Sequence, residues 1–169
     1  RCRSASARCA SAAQFSARNS RRAQFWAQFS DASSPPQVER EGTDVTIVSY
    51  SKGVATSLEA ADALAALGVS CEVINIRTLR PLDRKTIIDS VVKTNRLVTV
   101  EEGWPACGIG AELGACIYES EAFNYLDAPV ERVTGADIPM PYAANLEKDA
   151  IPIAQNVVNA VQKVCYRSG

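Results

Sequence analysis

A chain of 169 residues is long enough to bury a sizeable single core, and its complete lack of histidine excludes every imidazole-based triad, general base or metal site. Its net charge of −1 conceals a split, because residues 1–30 hold six arginines and no acid and leave 12 bases against 19 acids behind them. A domain carrying −7 argues against a nucleic-acid partner, and no apolar run approaches the ~18 residues of a bilayer span.

Residues 1–30 are rich in Arg, Ser and Ala, and Phe25, Trp26 and Phe29 would form a small apolar face on a helix. That composition is the one an organelle transit peptide needs; a disordered tail or a gene-model artefact is the plainer alternative. Residues 31–37, D-A-S-S-P-P-Q, read as a linker, so the folded domain is expected over 38–169.

From Asp44 the pattern becomes regular. Val45 to Tyr50 predicts a strand, and Val54 to Leu67 a helix with Val54, Leu58, Ala61 and Ala65 on one stripe, closed by Gly68. Cys71 to Arg77 predicts a second strand. Pro81 and Asp83 mark the start of a helix that buries Ile87, Ile88, Val91 and Val92. Leu97 to Val100 is a third strand that runs into the paired acids Glu101 and Glu102. A turn with Gly103 and Pro105 follows, and Gly108 and Gly110 open a helix with Ile109, Leu113, Cys116 and Ile117 on one face. Pro129 to Thr134 is a fourth strand, too short to fix its own direction. Pro152 begins a last helix whose apolar stripe is Ile153, Val157, Val161 and Val164. Strands alternating with helices of this length imply right-handed βαβ crossovers and a mostly parallel sheet, so the fold class is α/β.

The turn G-I-G-A-E-L-G tempts one to see a dinucleotide fingerprint, but its spacing is one residue too long and it starts seven residues after Val100. Two acids beside it would also repel a pyrophosphate. Close helix–sheet approach is the reading these glycines support. Glu101 and Glu102 form a candidate acid/base pair, yet neighbours on a strand face opposite ways. The expectation is one inward acid paired with a backbone amide or an Arg, and one acid at a subunit surface. The six cysteines (2, 9, 71, 107, 116 and 165) contain no C-x-x-C pair and read mainly as reduced core residues. Cys107 stands apart in the turn before a helix N-terminus, which would favour a thiolate, although it has no His partner.

Four ordered segments carry a resemblance: L-R-P-L-D (79–83), L-V-T-V-E-E-G-W-P (97–105), G-I-G-A-E (108–112) and the block Tyr125 to Glu147. Together they resemble the C-terminal domain of the β subunits of pyruvate dehydrogenase, a transketolase C-terminal-like domain, over about residues 38–166. The resemblance implies a three-layer α/β/α architecture on an about five-stranded, mostly parallel sheet, and mitochondrial location, with a plastid as the alternative. It implies partners: the α subunit of an α2β2 heterotetramer, a second β subunit, and the subunit-binding domain of the acyltransferase core. The parent enzymes use thiamine diphosphate and magnesium, which rest on an N-terminal domain that nothing before Val38 resembles. This chain alone is therefore expected to bind neither and to be inactive, with no catalytic residue to carry over. The interface residues implied are Glu101, Glu102, Trp104, Cys107, Asp127, Cys165, Tyr166 and Arg167, with Asp127 and the tail facing the acyltransferase core. Cys107 is a departure, since the family commonly has P-Q-H-G where this chain has P-A-C-G. The alternative functions are a non-catalytic assembly module and a redox or nucleotide-binding α/β protein.

Overall fold

The computed structural model describes residues 36–166. The leader, most of the linker, Cys2, Cys9 and Arg167 lie outside the described residues.

The middle of the sheet is dictated by β-branched runs. In β2 (Val45–Ser49) and β4 (Leu97–Val100) every residue is buried, as central strands covered by helices on both faces require. β3 (Cys71–Asn75) lies parallel to β2, with Ile47 opposite both Val73 of β3 and Val98 of β4. β5 (Glu131–Val133) is parallel to β4, which supplies the direction that its short sequence left open. β1 (Gln37–Arg40) pairs antiparallel with β3, and the sheet order is β1-β3-β2-β4-β5.

Strand alternation divides the core in two. Ile47, Val73 and Val98 face α1 (Lys52–Ala66) and the last helix, α5 (Ala154–Val164), in one cluster with Leu64, Val157 and Val161. Val48, Ile74 and Leu97 face α2 (Arg84–Thr94), α3 (Ile109–Tyr118) and a 3-10 turn at Glu121–Tyr125, and meet Ile87, Val91, Leu113 and Ile117 there. This is the three-layer α/β/α arrangement. Asp83 starts α2 by accepting from the N–H of Thr86 at 3.2 Å, and Asn95 ends it in the left-handed region at φ 60.

Some local expectations shift. The buried face of α1 is Val54, Ser57, Ala60, Ala61 and Leu64, with Leu58 half-buried and Ala65 exposed, because the contact stripe lies slightly toward the N-terminus. Ile153 caps α5 instead of packing beneath it and is 57% exposed; Val158 is buried in the stripe. A short helix, α4 (Ala144–Ala150), was not expected, and it buries only Ala150.

On the α2 side of the sheet sits a buried polar network. Glu72 accepts from Ser90 Oγ (2.5 Å), from the Gly42 N–H (3.3 Å) and from Lys93 Nζ, while Thr46 Oγ1 meets Ser90 Oγ and Thr94 Oγ1 at 2.7 and 2.6 Å. Nearly every polar atom here has a partner, so the network fixes the helix–sheet register and leaves nothing free for chemistry.

Candidate functional site

β4 delivers Glu101 and Glu102 to the carboxyl edge of the sheet and sends them opposite ways. Glu101 turns inward and is 3% exposed. Its Oε1 accepts from the N–H of Gly110 at 3.2 Å and from Nη2 of Arg132, on β5, at 3.3 Å. The same Arg132 nitrogen donates to the carbonyl of Pro105 at 2.6 Å. A Cβ on Gly108 would lie 2.5 Å from Glu101 Oε1; one on Gly110 would lie 2.7 Å from Thr99 Oγ1 and 2.9 Å from Glu101 Oε1. Both glycines are therefore demanded by the protein's own carboxylate, which sits at the N-terminus of α3 where an external anion would otherwise bind.

Glu102 faces solvent and pairs with Lys52 Nζ at 3.2 Å. Its carbonyl leaves no room for a side chain at position 135, since a Cβ on Gly135 would approach that oxygen to 2.4 Å. The two loops are stitched there by the Gly135 N–H to Gly103 carbonyl bond at 2.9 Å and by Trp104 Nε1 donating to the Ile138 carbonyl at 3.0 Å. Trp104 nonetheless stays 56% exposed. Cys107, a free exposed thiol, occupies the left-handed region at φ 57 just before the cap of α3. Burial first, and then Glu101 and Glu102, push the Tyr50 phenol above its ordinary value.

The remaining predicted residues lie at the other end of β4, a strand rising about 3.3 Å per residue. Asp127 donates its N–H to the Asn95 carbonyl at 2.9 Å, and its carboxylate pairs with Arg96 Nη2 at 3.2 Å. Tyr166 donates its hydroxyl to the Asp127 carbonyl at 3.1 Å. Half-buried Cys165 lines a cavity of about 170 Å³ with Asp44, Val69 and Arg96. The seven predicted residues that are described thus form two groups on opposite edges; Arg167 lies outside the described residues. Sequence reasoning missed Arg96 and Arg132. An arginine within a short, partly buried strand and another immediately before a buried one were the available signals, but neither shows which acid it meets.

Larger concavities lie elsewhere: about 640 Å³ between α1 and the α4–α5 junction, and about 430 Å³ between β5 and α5. Among the described residues, no three Cys, Asp or Glu side chains gather as metal ligands, and no helix is long and apolar enough to cross a membrane.

The family model for the transketolase C-terminal domain matches residues 36–157. The chain belongs to that family. This transketolase C-terminal domain is similar to proteins named pyruvate dehydrogenase E1 component subunit beta, mitochondrial, from Dictyostelium discoideum (58% identical over 132 residues) and Homo sapiens (57% over 127 residues). It is similar also to subunit beta-1 from Arabidopsis thaliana (60% over 132 residues). These alignments cover 78%, 75% and 78% of this chain but only 37%, 35% and 36% of the respective relatives, so the chain spans little more than a third of their length. Among solved structures, it superposes on a split-gene transketolase described as an inactive beta4 tetramer with a TM-score of 0.69 and 32% identity, over 78% of this chain and 42% of that one. A 2-oxoglutarate:ferredoxin oxidoreductase from Magnetococcus marinus shares the fold alone, with a TM-score of 0.54 at 15% identity over 80% of this chain and 20% of that one.

Proposed function

We propose that this domain is the assembly and docking module of a pyruvate dehydrogenase β subunit, within an enzyme that converts pyruvate to acetyl-CoA and CO2 in the mitochondrial matrix. The observation that carries the reading is the 57–60% identity to such subunits, sustained across the described fold. The mitochondrial names of those relatives and the transit-like composition of residues 1–30 support the location. Chemistry supports a non-catalytic role for the module itself. The inward acid of the carboxyl edge is bound by Arg132 and an amide, and it fills the one glycine-led helix N-terminus. A diphosphate at the N-terminus of α3 would meet the Glu101 carboxylate, which supports expecting no thiamine diphosphate at that helix end.

Partner surfaces follow from exposure. Trp104, Ile138, Met140, Tyr142 and Leu146 are each about half exposed or more, apolar side chains available to a second β subunit or to the α subunit of an α2β2 assembly. Asp127, held by its backbone on both sides, offers a carboxylate to the basic subunit-binding domain of the acyltransferase core. The test is calorimetry with thiamine diphosphate and magnesium, joined to sedimentation with and without an α subunit. Expected are no cofactor binding by the chain alone and a concentration-dependent dimer or α-subunit complex. Saturable micromolar cofactor binding, or a strict monomer that ignores the α subunit, would overturn the proposal.

A further inference from the structure

Two cysteines from distant parts of the chain meet on one layer of the core. Cys71 opens β3, is 1% exposed, and stands level with Val45 in the cluster that α1 and α5 cover. Cys165 ends α5 and packs against that same cluster, one turn beyond Val161, which belongs to it. Its N–H is fixed on the Val161 carbonyl at 2.9 Å, which anchors the cap. The sulfurs lie near enough for charge on Cys165 to add, after burial, to the upward push on the Cys71 thiol.

The two thiols differ in access. Cys71 is sealed in the core, whereas half-buried Cys165 lines the cavity of about 170 Å³ with Asp44, Val69 and Arg96. That space admits water-sized molecules. Arg96 brings a cation to it, and the Arg96 Nε is buried with no hydrogen-bond partner among the described residues. The opposing charge, the Asp44 carboxylate, accepts from the Ser70 N–H at 2.9 Å. A guanidinium so placed favours the hydroxide that departs when a thiol attacks peroxide.

The geometry points to Cys165 and Cys71 as a thiol pair that closes to a disulfide when hydrogen peroxide enters the amino-edge cavity. The inference stands apart from the docking role proposed above. First, the Cys165 sulfur attacks one peroxide oxygen, the O–O bond breaks, and the departing hydroxide takes the thiol proton as water. The sulfur, oxidised by two electrons, becomes a sulfenic acid, and the peroxide is reduced. Next, the Cys71 sulfur attacks the Cys165 sulfur, the S–O bond breaks, and hydroxide leaves as water with the Cys71 proton. Burial keeps that proton on Cys71 at neutral pH, so the second step is the slower one. Closure ties the end of α5 to the start of β3, and a thiol reductant reverses it. Exposed Cys107, away at the carboxyl edge, should take peroxide without joining this pair.

The experiment treats the reduced full chain with a small excess of hydrogen peroxide at neutral pH. Its peptides are then mapped by mass spectrometry without reductant. Expected is a linked peptide joining Cys71 to Cys165 within one chain, lighter by two hydrogens and split by dithiothreitol. Cys71→Val should lose that link and leave Cys165 as a sulfenic acid trapped by dimedone, severalfold above wild type. Cys165→Ser should lose the link and spare Cys71. If Cys71→Val fails to fold, wild type and Cys165→Ser decide the matter, because position 165 is a half-buried cap. A wild type whose Cys165 stops at the sulfenic acid overturns the inference, as does one whose Cys71 and Cys165 stay thiols while Cys107 is oxidised. So does a link between Cys165 and Cys107, or a Cys71–Cys165 link that forms only after urea unfolds the chain.

Discussion

The two edges of the sheet each hold an acid against an arginine, and they use the pair in opposite ways. At the carboxyl edge Glu101 is 2% exposed at its side chain and Arg132 30%; at the amino edge Asp127 is 50% exposed and Arg96 26%. The contact distances are nearly equal, 3.3 and 3.2 Å. Burial, not distance, sets the consequence. A desolvated charge is costly unless its partners stay in place, so Glu101 is bound to the fold. An acid half in water keeps most of its hydration, and its pairing is replaceable at little cost, which is what a docking surface needs.

The largest effect expected from this contrast is at Glu101. Glu101→Ala leaves Arg132 partly buried without its anion, and should cost about 3 kcal/mol, the low end for a broken buried pair because Arg132 retains some water. Gly110→Ala should cost about 1–3 kcal/mol, since its methyl would press on Thr99 Oγ1 and Glu101 Oε1, both held in the core. The two changes should be less than additive, because removing the carboxylate vacates the space that the methyl needs. Equilibrium urea unfolding of both single variants and the double variant checks all three statements. A Glu101→Ala loss below about 1 kcal/mol would place the seat among ordinary surface pairs and erase the contrast.

Much of this was legible beforehand, for a physical reason in each case. The central strands β2 and β4 are mostly β-branched, fully buried runs, as strands covered on both faces require. The opposed fates of Glu101 and Glu102 follow from strand alternation alone. What escaped reading was set by distant neighbours. β1, Gln-Val-Glu-Arg, carries mostly exposed side chains and is a strand because β3 offers it an open edge. α4 buries one alanine and so has no apolar stripe to reveal it. Ile153 fits the helical period of α5 but falls at its cap, where the chain arrives from solvent. The grouping of seven described candidate residues into two edges was likewise invisible, because Arg132 and Asp127 reach β4 from segments about thirty positions further on, as their sequence separations of 31 record.

A smaller effect, confined to alkaline pH, tests burial at the amino end of β3. Burial, with a lesser contribution from nearby Cys165, pushes the Cys71 thiol from its ordinary 9.0 up to about 12. The unfolded chain therefore loses this proton first. The stability contributed by the neutral thiol is complete below about pH 9 and declines as pH rises toward about 12. Cys71→Val, which nearly keeps the volume, should flatten that part of the profile of melting temperature against pH. Parallel alkaline declines in wild type and variant would assign the loss to other groups. Under native conditions at neutral pH, iodoacetamide should label exposed Cys107 and spare buried Cys71 and Cys116.

The smallest stability effect is expected at Asp127, and it separates the two edges most sharply. With half of its side chain in water, Asp127→Ala removes an exposed pair worth about 0.2–1 kcal/mol, and its backbone bonds to Asn95 and Tyr166 survive the substitution. The melting temperature should therefore barely move. Affinity for a basic subunit-binding domain should fall by a comparable energy, up to about 5-fold, and the loss should shrink as salt screens the contact. The decisive comparison is between the unfolding and binding free energies of this one variant, measured at low and moderate salt. A drop in stability rivalling that of Glu101→Ala would make the Asp127–Arg96 pair a second structural seat. Unchanged stability with unchanged affinity would leave Asp127 as a turn residue ahead of Ala128 and Pro129 and would overturn the docking role proposed for it.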